Sequence, residues 1–158
     1  MTPLPNPLFP DAFSHWLVGV ATGDLVFDEV HGEAVDYWKS GQFYEAHECW
    51  EELWRGQGPE TALRRALQGL IRLAAAGVKG KAEHFAGYKH HLRGGLGHLT
   101  LAQTLGIDQD WPGPNWAKIL LWVQSASKEE EDLQISKSPN RRPDQGGLWR
   151  EIVGQKPF

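Results

Sequence analysis

The chain reads as an all-α protein: a compact bundle of about five helices with an N-terminal strap and an extended C-terminal arm. Three observations point there. Apolar residues recur at helical spacing in one segment after another, Gly and Pro fall between those segments, and no stretch alternates with the period of two that a half-buried strand requires. No internal repeat is present. The pattern divides the chain into a strap over 1–28, a helical domain over 29–127 and a polar arm over 128–158.

In the strap, Phe9, Phe13, Trp16, Leu17 and Val18 are too apolar for a free tail, and one short helix fits around Asp11 to Val20. From Glu29 onward Ala34, Tyr37 and Trp38 keep an amphipathic face until Ser40-Gly41 interrupts it as a C-terminal signal. A central helix follows from about Gln42 to Arg55, closed by Gly56-Gln57-Gly58. Pro59 suits the first turn of the next helix, where its missing N–H costs nothing, and that helix runs to about Lys79. Its small residues Ala74, Ala75, Ala76 and Gly77 predict close approach of a neighbour. The short connection at Gly80-Lys81 predicts an antiparallel partner over about Glu83 to Leu105, with a kink near Gly94-Gly95. Asp108 to Pro114 reads as a loop, and a last helix covers about Asn115 to Ser127.

A net charge of −4 argues against nucleic acid or an anionic membrane surface as the main partner. No uncharged run approaches the ~20 residues of a membrane span, and the N-terminus lacks a basic region followed by an apolar one. The single Cys49 excludes an intramolecular disulfide and fits a reducing compartment, so a cytoplasmic location is expected. Eight tryptophans supply much of the core volume, with Trp111 in its Pro-Gly loop a candidate for an exposed binding surface.

The chemistry concentrates in the central helix. At ~100° per residue Phe43, Ala46, His47, Trp50, Leu53 and Trp54 share one face, and His47 is the polar member of an otherwise apolar stripe. Glu51 lies one turn on, within reach of the imidazole. Three readings fit. Imidazole and carboxylate one turn apart converge on a point where a divalent metal can bind. The carboxylate can instead orient the ring for acid/base catalysis. Or His47 is a core residue whose polar atoms are met by Glu51 or by Gln68 on the following helix. Glu45, Glu48 and Glu52 point mostly away from the stripe and read as a solvated acidic face, their repulsion relieved by Arg55, Arg64, Arg65 or Arg72, or alternatively by a cation.

His84, His91 and His98 form a row at seven-residue spacing, but successive members stand ~10.5 Å apart, too far to share one ion. They read first as polar groups on the margin of an amphipathic helix, and alternatively one of them, His84 or His91, joins His47 and Glu51 across a helix interface as a metal ligand. Tyr88 shares that row. Cys49 has acidic neighbours on its turns that raise its pKa and disfavour a nucleophilic thiolate. Gly94-Gly95-Leu96-Gly97 follows no strand, so it is not a phosphate-cradling loop.

The run Tyr37-Trp38-x-x-Gly41-x-Phe43-Tyr44-Glu45-Ala46-His47-Glu48-x-x-Glu51-x-x-Trp54-Arg55 resembles the signature of a small helical family of bacteria and archaea known as domain of unknown function 309. Leu67-Gln68-Gly69-Leu70-Ile71-Arg72-Leu73-Ala74-Ala75-Ala76 resembles its second block, in the same order, so that the resemblance spans about Val30 to Leu105. It implies a compact all-α bundle and a recurrent polar pattern falling on Glu45, His47, Glu48, Glu51 and Gln68. It implies no catalytic residue. Where many members carry a histidine after the alanine run, this chain has Lys79.

The functional expectation is a soluble binding or interaction domain, with Glu45, His47, Glu48, Glu51, Gln68 and Trp54 as binding candidates for a small molecule or a protein partner. The alternative is a hydrolase- or lyase-like enzyme using His47 and Glu51 as an acid/base pair, with or without a divalent metal. The apolar tip Leu148-Trp149 suggests a homo-oligomer built through the C-terminal arm.

Overall fold

The computed structural model describes residues 8–19 and 22–137. Among them are seven helices and no strand: α1 (Ala12–Leu17), α2 (Leu25–Lys39), α3 (Phe43–Arg55), α4 (Ala62–Lys81), α5 (Phe85–Thr104), α6 (Ile107–Asp110) and α7 (Trp116–Lys137). The helices from α2 to α5 each pack on the next, α7 packs on α5, and α1 bridges α2 and α7. The expected all-α bundle is therefore present, and α3 and α4 lie at its middle.

Four boundaries differ from the sequence reading, each for a local reason. α2 begins at Leu25 because the Asp24 carboxylate accepts from the amides of Val26 and Phe27, both at 3.1 Å. Leu25 and Val26 stay exposed in that first turn, which hides the helical period there. α4 starts at Ala62, not Pro59, because the Thr61 hydroxyl caps the Arg64 amide at 3.0 Å. A helical turn, α6, forms where Asp108 and its neighbours read as loop, anchored by the fully buried Ile107. α7 continues to Lys137, through the first part of the polar arm. The arm's apolar tip at Leu148-Trp149 lies outside the described residues.

Replacing Asp24 by Ala should remove the α2 cap and lower stability by ~1 kcal/mol, read as a shift in urea midpoint at unchanged slope. An unchanged midpoint would mean that packing alone sets the start of α2.

The strap is part of the core. Phe9, Phe13 and Leu17 are buried, and Phe13 stacks on Trp38 with ring centroids 5.2 Å apart and 16° between planes. Trp50, Trp111 and Phe13 are the largest fully buried side chains among the described residues. Trp111 is thus not a surface residue: it packs edge-on to Phe27, His31 and Trp116. The small-residue stretch of α4 acts as expected, since a Cβ at Gly77 would overlap the Phe43 ring of α3. α5 runs helical through Gly94 and Gly95. None of the described helices is long and apolar enough to cross a membrane.

Candidate functional site

The apolar stripe of α3 faces inward as its spacing requires: Phe43, Ala46, His47, Trp50 and Leu53 are buried, and Trp54 is half-buried. His47 is 3% exposed. The exposed Tyr44 ring covers its imidazole, stacked at 5.8 Å with 21° between planes. Glu51 follows one turn on, half-buried, with its carboxylate 3.5 Å from the Arg55 guanidinium.

Glu48 lies on the outward face that the sequence reading gives it, but its carboxylate turns back. Its side chain is exposed, yet its carboxylate reaches to 3.7 Å from His47 Nδ1. Turning the χ angles brings back to the imidazole a residue that the helical wheel sends outward. One ligand-type atom from each of His47, Glu48 and Glu51 lies within 4.8 Å of the others.

Burial pushes the His47 pKa below its ordinary value, and the nearby Glu51 and Glu48 carboxylates only partly restore it. The imidazole is therefore neutral at pH 7, and its contact with Glu48 is not an ion pair there. A neutral ring with a lone pair, beside two carboxylates, is the donor set that borderline and hard divalent cations take. The same arrangement suits a general base.

The other sequence candidates are not members of this group, although His91 lies within electrostatic range of His47. Glu45 is exposed. Gln68 is half-buried on α4. Trp54 carries the Arg64 guanidinium 4.1 Å above its ring, and its carbonyl accepts from the same group at 3.4 Å. His84 caps α5, its Nδ1 accepting from the Gly87 amide at 3.2 Å. His91 is buried and its Nδ1 accepts from Arg72 Nε at 3.0 Å. Neither histidine belongs to the His47–Glu48–Glu51 group. Burial raises the Cys49 thiol, helped by Glu33, Glu52 and Glu48, in line with an unreactive cysteine.

His31 is the polar core residue that the sequence reading passed over. It lies on the same stripe of α2 as Ala34 and Trp38, one and two turns before them, and that spacing was its available signal. Its Nδ1 accepts from the indole of Trp50 at 3.1 Å, so the Nε2–H donates to the Leu17 carbonyl at 2.9 Å. One imidazole thus ties the end of α1 to α2 and α3, with burial holding its pKa down.

By fold and site this is a small α-helical bundle protein with an imidazole–dicarboxylate group on its central helix. The profile of the family described as "Domain of unknown function (DUF309)" matches residues 32–90. The match ends within α5, short of Leu105, and contains α3 and α4 entire. Comparison with curated proteins and with solved structures gives no match.

Proposed function

We propose that this protein is a binding domain whose ligand site is the His47–Glu48–Glu51 group, and that the ligand is a divalent cation. The observation that carries this reading is the convergence of the three donor atoms within 4.8 Å on one helix. Three protein ligands with an open position are what an exchangeable or catalytic zinc site needs, and the exposed Glu48 leaves that position on the solvent side. Arg55, 3.5 Å from Glu51, competes for one carboxylate, which favours moderate over very tight affinity.

A second reading is favoured by the placement of Glu51 and Glu48 beside a neutral, nearly buried imidazole. In it His47 is the general base of a hydrolase- or lyase-like enzyme and the carboxylates stabilise its protonated form. A bound cation would serve the same reaction by polarising a substrate oxygen.

The test is the metal content of untagged protein purified without chelator, beside His47→Ala and Glu51→Gln. Stoichiometric zinc, iron or manganese in the wild type, lost from both variants, is the expected result. Metal-free wild type that also fails to take up added zinc would overturn the reading and leave His47 as a structural residue.

A further inference from the structure

The α4–α5 seam carries a second polar feature, whose His91 lies near enough to His47 of α3 to feel its charge. On α4, Arg65, Arg72 and Lys79 recur every seven residues, and on α5 His84, His91 and His98 do the same. The two helices run antiparallel, so the rows meet rung by rung. Arg65 Nη1 lies 3.3 Å from His98 Nδ1, and Arg72 Nε donates to His91 Nδ1 at 3.0 Å. At the third rung the His84 amide donates to the Lys79 carbonyl at 2.8 Å, and both side chains lie against Gly87.

The rungs are not equivalent. Arg65 has an anionic partner, since its Nη2 donates to both Glu60 oxygens at 2.9 and 3.2 Å. Arg72 has none. It is 3% exposed, its Nη2 donates to the His90 carbonyl at 3.3 Å, and no carboxylate of the described residues pairs with it. Burial alone depresses its pKa, to about 10, so it stays cationic at pH 7. His91 offers no charge in return, because burial and then Arg72 itself hold its pKa at about 3. The Arg72 guanidinium lies across Gly94, where any Cβ would overlap it. A seat has been cleared on α5 for a buried cation that lacks the anion such groups ordinarily keep.

We propose that Arg72 anchors an oxyanion site at the α4–α5 seam, which takes the phosphate or carboxylate group of a small ligand. The planar fork of a guanidinium matches either group, and low exposure strengthens the interaction. Lys79 on α4 and the exposed Arg93 beside Gly94 add positive field, in a chain whose net charge is −4.

Isothermal titration of the full chain at constant ionic strength tests this, with inorganic phosphate, glycerol phosphate and succinate as separate titrants and chloride as the reference. Saturable binding of at least one titrant is expected, and the strongest of the three identifies the source of the oxyanion. Arg72→Lys keeps the charge without the fork and should weaken binding by about tenfold. Gly94→Ala keeps the arginine but displaces its guanidinium and should weaken binding to a similar degree, with the helical circular dichroism retained. No saturable binding of any titrant up to about 10 mM would overturn the proposal, as would affinities unchanged in both variants.

Discussion

Trp50→Ala should be the most damaging single substitution in the domain, lowering the free energy of unfolding by ~3–5 kcal/mol through lost volume alone. Trp50 is 0% exposed and packs against Trp38 at 5.9 Å between centroids, in the region where the strap, α2 and α3 meet. Its indole N–H is also the donor to His31 Nδ1. Removing it leaves a buried acceptor unsatisfied, which adds a cost of ~1–3 kcal/mol. Against a total of ~5–15 kcal/mol for a domain of ordinary stability, such a loss leaves a marginal protein. Trp50→Phe separates the two contributions, since it keeps most of the packing and deletes the hydrogen bond. Urea unfolding followed by far-ultraviolet circular dichroism is the measurement. A loss for Trp50→Phe as large as that for Trp50→Ala would locate the energy in the His31 contact rather than in the volume.

The second large effect is a loss of stability in mild acid. Burial holds His31, His47, His90, His91 and His98 below the ordinary histidine value of 6.5, His91 at about 3 and His98 at about 4. These groups are depressed bases, so the sign follows directly. Between the folded value and 6.5 the unfolded chain binds protons that the folded chain refuses, and stability falls as pH falls. For His91 and His98 the window runs from about 6.5 down to about 3 and 4. Each fully shifted group adds a slope approaching ~1.4 kcal/mol per pH unit. From pH 7 to pH 5 the wild type should therefore lose up to about 2 kcal/mol for each of His91 and His98, less where solvent screens the ring. His91→Asn, which retains an acceptor for Arg72, should flatten the profile. A urea midpoint that stays constant between pH 7 and pH 5 would show that these rings are solvated and free to protonate.

These effects show where the reach of the sequence ended. The stripe of α3 was legible residue by residue, because burial of one face is dictated by a period of 3.6 and by the apolar character of five of its members. The singular position of His47 and the nearness of Glu51 followed from the same geometry. Glu48 is exposed as the wheel gives it, but the wheel fixes the direction of Cβ only, whereas a glutamate carboxylate moves several ångströms about its own torsions and here reaches His47. Trp111 was misplaced for a different reason. Pro and Gly around it mark a chain turn correctly, but whether a turn residue faces solvent depends on what packs over it, here Phe27, His31 and Trp116.

The sequence by itself determined the helical class, the order of the long helices, the α3 stripe and the resemblance that the profile match over residues 32–90 bears out. All of these depend on contacts between residues a few positions apart, or on a pattern written along the chain. Only the tertiary structure decided the partners. His84, His91 and His98 looked alike in one row, yet one caps a helix, one accepts from a buried arginine and one meets an arginine already paired with Glu60. A side chain's chemistry is set by the groups that fold against it from distant parts of the chain. Periodicity gives the face on which a residue lies, and packing gives what it meets there.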